Sequence, residues 1–177
     1  MIRAERSSVA AVTAVAGPVR SLSPPRAILM GGLTVGVLDG LDALLFFGLR
    51  NGIGPVRIFT GIAGGLLGRD AAMAGAWPTA LLGLVLHFLI ATTIVTVFYL
   101  ASRRLPFLTR RPLVWGPLYG IAVYLTMNLV VLPLSALHGT GLPSALAVLL
   151  NGVLIHIVGV GTPSALFARA AQRVQAA

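Results

Sequence analysis

Four ionisable side chains and an amide stand out within long apolar runs: Asp39 and Asp42, then His87, Asn128 and His156. Imidazole is the side chain whose charge changes nearest neutral pH, and a carboxylate beside it can hold or pass a proton. Asp39, Asp42, His87 and His156 also form a four-donor nitrogen and oxygen set of the kind that takes zinc or another divalent ion, with the donors far apart in sequence. His87 and His156, on separate segments, are the residues a b-type haem would use as axial ligands, a reading the aspartates disfavour. An Asp39-x-x-Asp42 pair holding a metal for phosphoryl-lipid chemistry, with Ser135 and His138 near each other in sequence, is the remaining catalytic reading. It lacks the flanking residues of HExxH or GxSxG sites, so no enzyme is expected. With no cysteine in the chain, disulfides, thiolate metal sites, Cys nucleophiles and iron–sulfur ligation are excluded.

The elements that must position these groups follow from composition. The 177 residues are 57% hydrophobic and 10% charged, with a mean hydropathy of +0.96. Soluble domains hold closer to a quarter charged residues, so the chain is read as an integral membrane protein. Crossing a hydrocarbon core of about 30 Å takes about 20 apolar residues, and the runs 27–49, 77–101, 113–137 and 142–168 meet that requirement. The predicted fold is all-α, a polytopic bundle of four transmembrane helices. Val56 to Gly68 is apolar but too short to cross, so it should lie at the interface or re-enter partway. Its glycines follow no strand and precede no Gly-Lys-Ser/Thr, which argues against a phosphate loop.

Residues 1–26 read as a flexible basic tail, and 169–177 as a short one, both cytoplasmic. A signal peptide ending at Ala14-Val15-Ala16 is the rival reading of the first 16 residues. The net charge of +9 comes from 13 arginines against Glu5, Asp39, Asp42 and Asp70, with no lysine. Placing both termini and the 102–112 link inside leaves only Arg50, Arg57 and Arg69 outside, the orientation expected in a bacterial inner membrane. Arginines beside apolar spans point to anionic headgroups as partners, not nucleic acid. Trp77, Tyr99 and Trp115 stand near span ends, where aromatic rings favour the headgroup layer.

At about 1.5 Å per residue, Asp39, Asp42, His87, Asn128 and His156 all fall roughly 18 to 22 Å from the cytoplasmic end of their spans. At about 100° per residue each also shares a stripe of small residues. Gly32, Gly36 and Gly40 accompany Asp39, Gly83 accompanies His87, Gly116 and Gly120 accompany Asn128, and Gly152 and Gly159 accompany His156. Such stripes let helices approach closely, within one chain or against a second copy or another membrane protein. Asn151 lies about 140° from His156 and is assigned to a different helix contact. Two central aspartates oppose insertion by about 5 to 7 kcal/mol, and a dozen large apolar residues return about 4 to 7, so the first span depends on its neighbours.

Between Ala80 and Gly159, Leu86-His87-Phe88, Tyr99, Leu105-Pro106, Gly116 to Gly120, Leu132-Pro133-Leu134 and His156 together resemble the YagU type of bacterial inner-membrane proteins. The resemblance implies an inner-membrane helical bundle and no enzyme class, and the Asp39-Gly-Leu-Asp42 segment lies outside it. The functional expectation is a non-enzymatic membrane protein whose polar layer binds or relays a proton or a metal ion. The alternative is a structural or partner-binding bundle.

Overall fold

The computed structural model describes residues 22–139 and 141–172. Most of the basic tail, its cleavage reading and the last residues of the chain lie outside them. Four helices are long and apolar enough to cross a membrane: α1 (Pro24–Asn51), α4 (Ala76–Arg104), α6 (Pro112–Leu134) and α7 (Leu146–Gln172). Between α1 and α4 lie α2 (Pro55–Leu67) and α3 (Arg69–Ala74), and α5 (Phe107–Arg110) is a single turn before α6. The protein is an all-α bundle.

The helix ends differ from the expected boundaries for local reasons. Pro24 and Pro25 open α1, because proline lacks only a donor that the first turn leaves unpaired. The helix therefore takes in residues assigned to the tail. It stops at Gly52, whose φ of 65° is the left-handed conformation a glycine cap supplies. α4 ends at Arg104 because Leu105 precedes Pro106, and Arg103 and Arg104 then sit favourably at the negative end of the helix dipole. α6 ends at Leu134, short of residue 137, where Ser135 turns extended and the Ala136 amide donates to Gly65 O at 2.9 Å. α7 begins at Leu146, after Pro143 has held the chain out of helix, and runs on to Gln172 through residues assigned to the C-terminal tail.

α1 packs on α4 through its glycine face. Gly32 lies on the Thr92 backbone, Gly36 on the Phe88 ring, and Gly40 on His87. α1 also packs on α7, and α7 on α6, where Gly116 and Gly120 meet Gly161, Thr162 and the His156 carbonyl. Leu29, Leu33, Val37, Leu38, Leu41 and Leu45 of α1 face outward. The core is made of alanines around Phe98 and Tyr99 at one end (Ala27, Ala165, Ala168 and Ala171), and of Val35, Ala91, Val95, Val123 and Val160 in the middle. Tyr99, near the end of α4, is buried in the core, where the alanine face of α7 leaves it space.

The ring α4–α1–α7–α6 does not close. An apolar groove of about 460 Å³ lies between α4 and α6, lined by Leu89, Thr93, Val97, Ala122 and Thr126 among others. Tyr119 bridges it, its hydroxyl donating to Ile94 O at 2.7 Å. The short α2 turns back against α4, with the Phe59 carbonyl set on Gly83 where any side chain would collide. Gly83 thus serves α2, and its glycine is required by a close backbone approach.

Two wide turns interrupt α6 and α7. Met127–Val131 and His156–Gly161 are π-helical, and each ends two residues before a proline, Pro133 or Pro163. A proline ring clashes with the carbonyl four residues back, and widening the preceding turn relieves that clash. The Thr162 hydroxyl then donates to Ile157 O, five residues back, at 2.8 Å.

Candidate functional site

Asp39 from α1, His87 from α4, and Asn128 and His156 from the two wide turns line one cavity of about 200 Å³. Val35, Ile62, Ala91, Met127 and Val160 complete its walls, so the polar groups face a space otherwise apolar. α2 contributes Ile62 to the cavity, and Phe59 packs edge-on to the His87 ring at 6.1 Å.

His87 is 8% exposed, and its Nε2–H donates to Gly36 O at 2.8 Å, a bond from α4 to α1. A carbonyl only accepts, so Nε2 carries the hydrogen and Nδ1 is the nitrogen left to take a proton. His156 is arranged the other way round. Its Nδ1–H donates to Gly152 O at 2.9 Å, leaving Nε2 as the basic nitrogen. Its ring stands edge-on to Tyr124 at 5.2 Å, and Gly152 is glycine because that ring occupies the space of a Cβ. Asn128 donates from Nδ2 to Tyr124 O at 2.9 Å, which leaves its Oδ1 as an acceptor. Both imidazoles are thereby held in a defined tautomer by helix carbonyls, with Asp39 as the carboxylate of the cavity.

Asp42 departs from this layer. It sits one turn further along α1, where Asn151 Nδ2 donates to its Oδ2 at 2.7 Å. The pair opens onto a separate pocket of about 540 Å³ with Phe46, Leu49 and Arg50. By its angle Asn151 is assigned to a helix contact other than that of His156, and its partner in that contact is Asp42 of α1. The signal was a second amide in an apolar span, whose most economical partner is another intramembrane polar group.

This separation bears on the metal reading. Among the described residues no three His, Asp or Glu side chains are grouped to hold a metal ion. Asp42, counted among the four donors, is turned to Asn151. For haem, the cavity between His87 and His156 is smaller than the roughly 300 to 1,000 Å³ of cofactor-sized pockets.

The Asp42–Asn151 pair can be measured by a double-mutant cycle. Asn151→Leu should lower stability in detergent by about 1 to 2 kcal/mol, at the low side for a bond to a charged group because the pocket is open. The combined Asp42→Leu/Asn151→Leu chain should recover most of that loss; simple additivity of the two single changes would mean the pair carries no coupling.

Comparison of the chain with family models, curated proteins and solved structures finds no match.

Proposed function

We propose that this is a non-enzymatic inner-membrane protein whose bundle binds and relays a proton at the cavity formed by Asp39, His87, Asn128 and His156. The observation carrying the reading is that two imidazoles and a carboxylate line one cavity, each imidazole with one nitrogen committed to a carbonyl and the other uncommitted. A proton taken up at Nδ1 of His87 or Nε2 of His156 places a cation opposite Asp39, which compensates it away from water. A proton also needs less of the site than a metal ion, which requires several donors at bonding distance.

The orientation belongs to the same proposal. The ends of α1 and α7 that flank the Arg103, Arg104, Arg110 and Arg111 loop are cytoplasmic, by the preference of arginine for that side. The partners are then anionic headgroups, and no nucleic acid is involved.

A structural reading competes, favoured by the fact that Asn128 and His156 each bond a carbonyl four residues back in their own helix. Nitrogen-15 imidazole spectra of the protein in nanodiscs separate the two. His138, exposed and distant from the cavity lining, is an internal reference. Proton binding requires the His87 and His156 signals to change with pH while the fold is intact, and Asp39→Asn to displace both transitions without moving that of His138. If neither cavity imidazole responds before the bundle unfolds, the site is structural.

A further inference from the structure

A second constellation lies on α2 and α3, apart from the cavity. Arg57, Thr60, Gly61 and Gly64 recur at i, i+3, i+4 and i+7, so one face of α2 presents them together. With Arg69, Met73 and Leu137 they line a pocket of about 280 Å³ at the end of the bundle where α1 terminates. Thr60 is 3% exposed, yet its hydroxyl has no hydrogen-bond partner among the described residues. Thr92, Thr93, Thr96 and Thr126, also on helices, all return theirs to the carbonyl four residues back. A buried hydroxyl left without a partner, on a residue that lines the same pocket as two arginines, is a position for an acceptor to fill. Asp70, the neighbour of Arg69 in sequence, is not part of the lining. Gly61 keeps the floor open, since a Cβ there would meet nothing within 4 Å.

Two arginines in one pocket call for an anion with several acceptor oxygens, and the forked guanidinium matches phosphate better than any other common group. We propose that Arg57, Arg69 and Thr60 form a binding site for a phosphate group, carried by a lipid headgroup or free in solution. The bundle end is where lipid phosphates lie, and the apolar Met73 and Leu137 walls suit the glycerol carbons beside such a phosphate. The site does not rest on the proton reading of the cavity.

The test uses the full chain in mild detergent. Native mass spectrometry compares retention of phosphatidylglycerol with that of diacylglycerol, which has the same tails and no phosphate, and calorimetry titrates inorganic phosphate. Phosphatidylglycerol should be retained in preference, with affinity falling about tenfold or more in Arg57→Gln/Arg69→Gln, as expected for loss of charge-assisted bonds. Gly61→Leu, which keeps both charges and fills the open floor, should block binding as well, and Thr60→Val should weaken it several-fold. Binding of inorganic phosphate in competition with the lipid identifies a free anion as a ligand, and lipid binding without it identifies the headgroup. Either result supports the site. Equal retention of both lipids, or phosphatidylglycerol binding unchanged by both Gly61→Leu and the double arginine variant, overturns it. Both arginines are exposed, so each single Gln variant folds independently of the core and repeats the test.

Discussion

Gly120→Ala should destabilise the bundle by about 3 kcal/mol or more, at the upper end of the range for overpacked interiors. A Cβ at Gly120 would lie 2.6 Å from the carbonyl carbon of His156 and 3.0 Å from the Cα of Ile157. Both are backbone atoms, so no rotamer change relieves the collision and α6 must separate from α7. The carbonyl displaced belongs to a cavity histidine, so the site should deform with the packing. Gly61→Ala is the matched control. Its Cβ enters open space, and replacing a helical glycine by alanine is worth about 0.5 to 1 kcal/mol in favour of the helix. Unfolding midpoints in detergent should therefore move in opposite directions. Equal midpoints for the two variants would mean that the Gly120 contact is not close in the folded protein.

Removing one residue should have opposite consequences in α7 and α4. Val158 is exposed and lies within the wide turn His156–Gly161, which holds about one residue more than an α-helical turn. Its deletion lets the turn close to α-helix while Asn151 still meets Asp42 and Ala165 and Ala168 still face the core. Thr162 would then stand four residues after Ile157, the spacing at which Thr92 already bonds Phe88 O. Leu89 is equally exposed, but α4 is α-helical throughout, with no spare residue to release. Deleting it rotates one half of α4 against the other by about 100°, taking either His87 from Gly36 or Val95 and Phe98 from the core. The Val158 deletion should run as a folded species on size exclusion with a lowered melting midpoint, and the Leu89 deletion should not fold. Similar loss in both would show that the wide turn is not what accommodates the extra residue.

The same turns explain what could be read from the chain alone. Spans are legible because about 20 apolar residues without charge have few other uses, and the common level of Asp39, His87, Asn128 and His156 follows from a constant rise per residue. Rotation is less secure, since a wheel of 100° per residue loses its phase at Met127 and again at His156. Pro133 and Pro163 mark where this occurs, but a proline near a span end more often only ends the helix. Asp42 and Asn151 were separated because each was referred to its own helix, whereas their bond depends on how α1 and α7 are set against each other. The burial of Tyr99 was not legible for a related reason: its position near a span end says nothing of the alanines on α7 that enclose it.

The unclosed ring has a mechanical meaning. α1, α2 and α4 form one half of the molecule and α6 with α7 the other, joined where α7 packs on α1 and, toward its C-terminal end, on α4, and open along the groove between α4 and α6 that Tyr119 bridges. Asp39, Ile62 and His87 come from the first half, Asn128, Met127 and His156 from the second, so the cavity straddles the seam. Ile90, Ile94 and Met127 line both the groove and the cavity. A small swing of one half about the α1–α7 joint would alter the separation of Asp39 and His156 more than any distance within either half. The apolar lining of the groove is the surface that such a swing would open or close.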